Sequence, residues 1–572
     1  MVSQSFNLTT DPWIRVIQTD TRQEKRVSLI EFFSHAQDYR QFAGEMRSQD
    51  LAIMRFLLAI LTTVYSRYNA ENEPYLWTKI DSDTMQVTSI EDDEGIEDDL
   101  LDTWNQLYQA GKFSKIVIEY LKRYSNRFDM FGDHPFYQVT TADYDALVPS
   151  NKRIEKGKGQ VLVKQLNRRI SESGNTPSIF APKTGEWKNA IDIDELGRWL
   201  ITYQNFTGVT DKTKIEAKDK FSNSAGWLYR LNPVYVQGQT VFETLMLNLK
   251  LGGENVDLLA LQKPVWEYEI KNYIAVRKQQ VVPDNLAELY TTWSRILHIE
   301  WQDDKHPLIF SAGIPIFEAT GAFIEPMTTW RIDQKTGEYR PAVKGLRSLG
   351  ISMWRNFGNY VDVHSDSGQP EPGIVNWLHE IKDQDTSVIA DDKPIMLAST
   401  TLISDGNATS QAPAVEVTDD MQLQADVLFD PEIAKYWPVR IEEVVEVTQR
   451  IGTVFYHFAK TIGQIRYGKK DTAHVNALAG NWSIKFYQNL NGPFKEWLAQ
   501  LSGVDDRDQK IKQWKKQLRN ILNDTVHDVM KSSSPRDISG IEDDKGRWMN
   551  IFTARNQLSY NVRKYLGPQD KE

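Results

Sequence analysis

After about residue 430 the apolar positions of this chain recur every three or four residues almost without interruption, whereas before it that period alternates with shorter runs of strand type. Helices are predicted near 437–467, 474–501, 506–531 and 543–566, separated by Lys469-Lys470-Asp471, Ser502-Gly503 and Ser532-Ser533-Ser534-Pro535. Connections this short make neighbouring helices antiparallel, which predicts a four-helix bundle. Upstream, Leu51, Met54, Leu58, Leu61 and Tyr65 mark an amphipathic helix, and helical periods recur near 100–124 and 192–206. Strands are expected to dominate from about 230 to 405, where Pro233 to Val236 reads as one and Ile314 to Ile324 as a hairpin turning near Ala319 to Gly321. Phe6, Leu8, Trp13, Ile14 and Val16, bent at Asp11-Pro12, predict two short strands continued at Val27 to Leu29, and Asp362 to Gly373 is a polar loop. The predicted fold class is therefore α+β, a large mixed α/β domain over 1–430 followed by an all-α four-helix bundle over 431–572.

Length agrees with more than one core, since 572 residues exceed what a single core usually organises. The 40% hydrophobic content and 17 tryptophans are ample for burial. Zero cysteines exclude a disulfide framework and any thiolate zinc site, and fit a reducing cytoplasm. Met1 to Ser5 carries no basic stretch followed by an apolar one, so no secretory signal is expected. The densest apolar run, Leu57 to Leu61, lies between Arg55 and Arg67 and is too short to span a bilayer. A soluble, cytoplasmic protein without a membrane partner is expected.

Charge changes this picture through its distribution. Lysine and arginine total 67 against 78 acidic residues, a net −11, and a lone DNA-binding domain is usually basic. Charge acts within a Debye length of about 8 Å, so an acidic total is compatible with a basic groove. Acid concentrates at Asp92, Asp93, Glu94, Glu97, Asp98 and Asp99, just ahead of an apolar-periodic stretch, where carboxylates favour a helix N-terminus. Between Asn151 and Arg169, Lys152, Arg153, Lys156, Lys158, Lys164, Arg168 and Arg169 face Glu155 alone, and Gly157 and Gly159 make the stretch pliable. A second basic loop, Lys212, Lys214, Lys218 and Lys220, runs into Ser222, Asn223, Ser224, Ala225, Gly226 and Trp227. Small residues beside lysines let a backbone approach a phosphate or a groove closely. Taken alone, both loops read more simply as solvated connections.

Three apparent enzyme motifs carry little. Gly463 to Lys470 nearly matches a phosphate-binding loop, yet Lys470 replaces the Ser/Thr that would hold magnesium and a helical pattern precedes it. His527-Asp528 is the pair used by metal phosphohydrolases, which need further ligands, and the nine histidines are scattered singly. Asp303-Asp304 and His306 could touch a metal, although such a group is commonly just solvated. The readings left open are a nucleic-acid-binding protein without catalysis, a metal-dependent phosphohydrolase using His527 and Asp528, and a protein-binding scaffold.

One resemblance weighs among them. Phe6-Asn7-Leu8 with Asp11-Pro12-Trp13-Ile14 and Val16, then Phe128-Asp129-Met130-Phe131 with His134-Pro135-Phe136 and Gln138, resembles the CasA family, the large subunit of the type I-E CRISPR surveillance complex, Cascade. Thr244 to Leu249 is similar to a helix of the same family. The resemblance implies a non-catalytic subunit without cofactor or metal. Its partners would be crRNA, double-stranded target DNA, the handle-binding, backbone and small subunits, and a helicase-nuclease. It implies recognition of the protospacer-adjacent motif (PAM) through the minor groove and a hairpin wedge that opens the duplex. By position, the wedge would be Ser410, Gln411 and Ala412, with Ser410 where the family has Asn. The PAM loop would be Lys218, Lys220, Ser222, Asn223, Ser224, Ala225 and Gly226, in which only Gly226 is glycine. The crRNA-handle or subunit contact would be Phe180, Ala181, Pro182 and Lys183, and Lys152, Arg153, Lys156, Lys158, Arg168 and Arg169 would meet phosphates. Lys510, Lys512, Lys515, Lys516 and Arg519 would line a path for the displaced strand. The family's minor-groove lysine has no counterpart in 313–324, leaving Lys305, Lys335 or a different mode of reading.

Overall fold

The computed structural model describes residues 5–91, 95–167, 169, 182–208, 210–218, 220–222, 225–252, 262–317, 319, 325–361, 372–384, 387–404, 413–430, 436–543 and 546–567. They form two compact units, 1–349 with 369–388 and 397–419, and 350–368 with 389–396 and 420–572.

The first unit opens with strand β1 (Ile14–Gln18), paired antiparallel to β2 (Glu24–Val27) on one side and β3 (Tyr39–Phe42) on the other. The strand expected around Phe6 to Leu8 is a single bridge instead. Asn7 pairs with Asp129, flanked by Leu8 N–H to Phe128 O (2.9 Å) and Met130 N–H to Phe6 O (2.9 Å). Leu29, expected to extend a strand, begins a helix capped by Ser28. The two segments carrying the family resemblance therefore lie against each other. Their rings Trp13, Phe128 and Phe136 surround Phe56 at centroid distances of 6.1, 6.2 and 5.6 Å. Packing accounts for these aromatics, whereas His134 is exposed.

Phe56 belongs to α1 (Arg47–Tyr65), which is buried on all sides. By length and composition alone it is long enough to cross a membrane, although the apolar run Leu57 to Leu61 is not; its whole apolar window is buried inside the fold. Burial of charge demands partners. Arg55 pairs with the equally buried Glu325 and stacks 4.4 Å over the Tyr290 ring. Just beyond the helix Arg67 holds Glu267 in a fork (2.9 and 2.8 Å), and Tyr120 donates to the same carboxylate. Asp50 accepts from Gly44 N–H (2.8 Å) and Arg47 Nη1 (3.1 Å), but burial pushes its carboxyl up to about 6.

Helices Ile116–Arg123, Ile193–Phe206, Val241–Asn248 and Leu286–Thr291 pack against this helix. In α2 (Ile193–Phe206), Gln204 accepts from the N–H groups of Ser294 and Arg295 at 2.8 and 3.1 Å. Strand β4 (Val234–Gln237) belongs to a three-stranded sheet described below. Helix α3 (Ile270–Arg277) precedes the hairpin of β5 (Arg295–Trp301) and β6 (Pro307–Gly313), registered from Arg295 opposite Gly313 to Trp301 opposite Pro307. The hairpin expected over 314–324 is thus displaced. The strand ends at Gly313, residues 314–317 are not in a strand, and the expected turn falls largely outside the described residues. A smaller hairpin, β7 (Trp330–Ile332) and β8 (Tyr339–Pro341), follows. The region 230–405 is not strand-dominated, because helices Val241–Asn248, Ile270–Arg277, Leu286–Thr291 and Gly373–Lys382 interrupt it. Short apolar runs do not separate a strand from a buried helix. Strands β9 (Pro394–Ser404) and β10 (Pro413–Gln424) complete the sheet, in the order β10-β9-β4.

The second unit is mainly helical: α4 (Trp437–Tyr467), α5 (Thr472–Ala499), α6 (Arg507–Lys531) and α7 (Ile551–Leu566). The last starts eight residues later than its pattern predicted, behind a two-stranded ladder (Ile541–Glu542 with Trp548–Met549) and an Asn550 cap. Trp514 of α6 packs edge-on to Phe494 of α5 (4.9 Å) and donates to Thr448 Oγ1 of α4 (3.0 Å). Trp354, upstream in sequence, stacks on Phe494 at 4.1 Å and donates to Asn491.

Asp50 gives this fold a measurable pH signature. Its folded value of about 6 lies above the ordinary 3.8, so between the two the folded chain keeps a proton that the unfolded chain releases, and stability falls as pH rises through that window. The full change is ~3 kcal/mol. Thermal melts from roughly pH 4 to pH 7 should show a shallower decline for Asp50→Asn than for the natural chain. Parallel curves would mean that Asp50 is ionised throughout.

Candidate nucleic-acid interface

The second basic loop is tied to the β5–β6 hairpin. Gly313 N–H donates to Thr213 O (2.8 Å) and Ile215 N–H to Gly313 O (3.0 Å), so Lys214 runs alongside the end of β6. Lys214 Nζ donates to Phe221 O (2.6 Å) and lies 4.9 Å from the Phe221 ring, which folds the loop back on itself. An open groove of about 710 Å³ results, lined by Pro149, Lys214, Lys218, Lys220, Phe221 and Lys278, with Glu216 as the one acid among its described lining residues. Lys218, Lys220 and Lys278 are exposed. Lys278, just past α3, carried no signal in the sequence beyond its charge; only the fold brings it within reach of the loop.

Downstream, Ser222 is exposed, while Asn223 and Ser224 lie outside the described residues. Gly226 is glycine for a reason internal to the fold. A Cβ there would sit 2.2 Å from Asn205 O and 2.6 Å from Gln204 O, at the end of α2, and Gly226 N–H donates to Thr207 O. Ala225 and Gly226 border a smaller cavity of about 160 Å³ walled by Trp227, Tyr229, Trp293 and Phe317.

The first basic loop is less pliable than its glycines suggested. Gly157 and Gly159 take left-handed conformations (φ 60° and 81°), Gly159 O accepts from Ser311 N–H (2.8 Å), and Gln160-Val161 pairs with Phe310-Ile309. Arg153, Lys156, Lys158 and Arg169 are exposed, Lys152 is half-buried, and Arg168 lies outside the described residues. Pro149, at the head of this loop, also lines the lysine groove, so the two loops are neighbours.

The other expected sites divide. Phe180 and Ala181 lie outside the described residues; Pro182 is exposed, and Lys183 is engaged by Glu195 (2.9 Å) and Ala190 O (2.9 Å). Ser410, Gln411 and Ala412 also lie outside, between the described ends of β9 and β10. Lys305 pairs with Asp192 (3.3 Å), and Lys335 is exposed in the turn between β7 and β8. On α6, Lys512 and Lys516 are exposed and Lys515 is half-buried, but Lys510 pairs with Asp505 (3.2 Å) and Arg519 donates to the carbonyls of Leu566 and Gly567.

The enzyme-like motifs dissolve into ordinary structure. Gly463 to Tyr467 is the end of α4. Asp528 accepts from Lys485 (2.7 Å), which holds its carboxyl below the usual range, and Asp303 accepts from Lys305 N–H, His306 N–H and His306 Nδ1 in a local turn. Among the described residues no three His, Cys, Asp or Glu side chains gather as metal ligands.

Residues 7–525 match the family model of CRISPR-associated protein Cse1. The fold is similar to Cse1 of Thermobifida fusca (TM-score 0.75, 20% identity, 98% of each chain covered). It is also similar to CasA of Thermus thermophilus (TM-score 0.66, 17% identity, 99% of this chain and 100% of that one). A chain of a CRISPR RNA-guided surveillance complex matches with a TM-score of 0.55 and 12% identity over 97% of this chain and 99% of that one. No curated protein matches.

If Gly226 serves packing, Gly226→Ala should lower stability by ~2 to 3 kcal/mol, because backbone rather than a flexible side chain must give way. An unchanged melting temperature with weakened duplex binding would reassign the glycine to the ligand.

Proposed function

This chain belongs to the CRISPR-associated protein Cse1 (CasA) family, and from that membership we propose that it is the non-catalytic large subunit of a CRISPR RNA-guided surveillance complex. In this reading it binds the PAM-proximal duplex of invading DNA, helps to open it for R-loop formation, contacts crRNA and neighbouring subunits, and receives the helicase-nuclease, all in the cytoplasm. The observation that carries the DNA-binding part is the lysine groove. Lys214, Lys218 and Lys220 of one loop and Lys278 from just past α3 meet on one open surface of an acidic chain, with the exposed arginines and lysines of the first basic loop nearby. Such a surface attracts the phosphate backbone through release of its counterions. Phosphate contacts fix position but carry no sequence information, so reading of the PAM falls to other residues, Ser222 to Gly226 next along the chain or Lys335. Displaced strand would follow Lys512, Lys515 and Lys516 of α6. Lys510 and Arg519 of the same helix are held by partners within the unit. The phosphohydrolase reading loses its support in the ion pair that occupies Asp528.

Two experiments test this on the assembled complex. Replacing Lys218, Lys220 and Lys278 together by alanine should weaken binding of a PAM duplex and reduce the log–log salt slope by about 0.9 for each phosphate that is no longer neutralised. A natural slope in the triple variant would make the groove a solvated surface. Gln411→Ala should leave assembly and PAM-duplex binding intact but slow opening of a matched target, since a wedge offsets the few kcal/mol of unstacking the first base step. A target with pre-melted bases beside the PAM should restore the rate. A defect that persists on that target removes Gln411 from the opening step.

A further inference from the structure

The buried helix α1 begins without a cap of its own. Its N-cap residue Met46 offers no side-chain acceptor, yet the first free N–H groups of a helix need partners when water is excluded. Two of them are met from far along the chain. Glu416 accepts Ser48 N–H at Oε1 (2.7 Å) and Arg47 N–H at Oε2 (3.3 Å), across 368 and 369 residues of sequence. A carboxylate at this position also meets the positive end of the helix dipole, a favourable placement for half-buried charge.

Glu416 lies on β10, the strand that leaves the segment 405–412, and it follows Gln411 by five residues. Chain geometry holds the two Cα atoms within about 18 Å of each other. The strand that enters the segment is fastened separately. Ser399 and Thr401 of β9 both donate to Asn232 Oδ1 (2.6 and 3.1 Å), and Thr400 Oγ1 lies 3.2 Å from Tyr235 Oη. Each strand is thus held to the first unit by side chains, and on the outgoing strand the hold is a carboxylate on an almost wholly buried helix. A side chain that pushes between stacked bases needs a support that does not recoil.

We infer that Glu416 is a positioning residue for duplex opening: by capping α1 it fixes the strand that carries the wedge. This rests on the reading of Gln411 given above. Glu416→Ala should slow opening of a matched target roughly fivefold to tenfold, the size of a lost helix cap, with assembly and PAM-duplex binding unchanged. A pre-melted target should restore the rate, which a general loss of structure would not allow. The Glu416→Ala, Gln411→Ala double variant should open no more slowly than Gln411→Ala alone, because both changes disable one device. If Gln411→Ala is slow while Glu416→Ala opens at the natural rate, the anchor is refuted and the wedge stands. If Gln411→Ala itself is natural, both fall. Should Glu416→Ala fail to assemble, Glu416→Gln, which keeps one acceptor oxygen, takes its place with a smaller slowing expected. Loss of assembly in that variant too would show that Glu416 holds the fold rather than the wedge.

Discussion

A helix with no face towards solvent must find a partner inside the protein for every charge and every unpaired N–H it carries. Helix α1 meets this constraint with groups borrowed from distant parts of the first unit: Glu325 for Arg55, Gly44 N–H for Asp50, and Glu416 for its own first turn. Arg67, just beyond its end, takes Glu267. Removing one member of a buried pair leaves the other uncompensated, typically at a cost of about 3–5 kcal/mol. Hydrophobic contact alone is non-directional and would not say which loops meet the helix. Ion pairs and caps do say, so the residues around 267, 325 and 416 are fixed to one central element before any ligand is considered.

That constraint also explains what could be read from the sequence. The long period-3.6 stretches of α4, α5 and α6 were legible because dozens of positions repeat one signal. The start of α7 was not, because a short ladder ahead of Asn550 has too few residues to declare itself. Between 230 and 405, elements of three to eleven residues carry apolar runs that suit strand and buried helix alike. Nothing local revealed that Asn7 bridges Asp129, or that Phe56 gathers rings from both family segments.

The candidate site divides along the same line. Lys218 and Lys220 were visible as a charge run, and exposure agrees with that reading, whereas Lys278 joins them only through the fold. Nothing local showed that Lys183, Lys510 and Arg519 are engaged by a carboxylate or by carbonyls of the fold, as Lys214 is by Phe221 O. Gly226 was noticed for the absence of a side chain, and the fold adds one neighbour that requires it, the backbone at the end of α2, which no local pattern announces.

Trp354 has a bearing on heredity. Its ring lies on Phe494 and its indole N–H on Asn491, so the helical unit is completed by residues that the chain supplies long before the helices begin. A gene cut near codon 430 would yield helices without this lid, their aromatic layer open to water. A gene fusion that is to carry the helical unit intact therefore has to carry residues 350–368 and 389–396 with it.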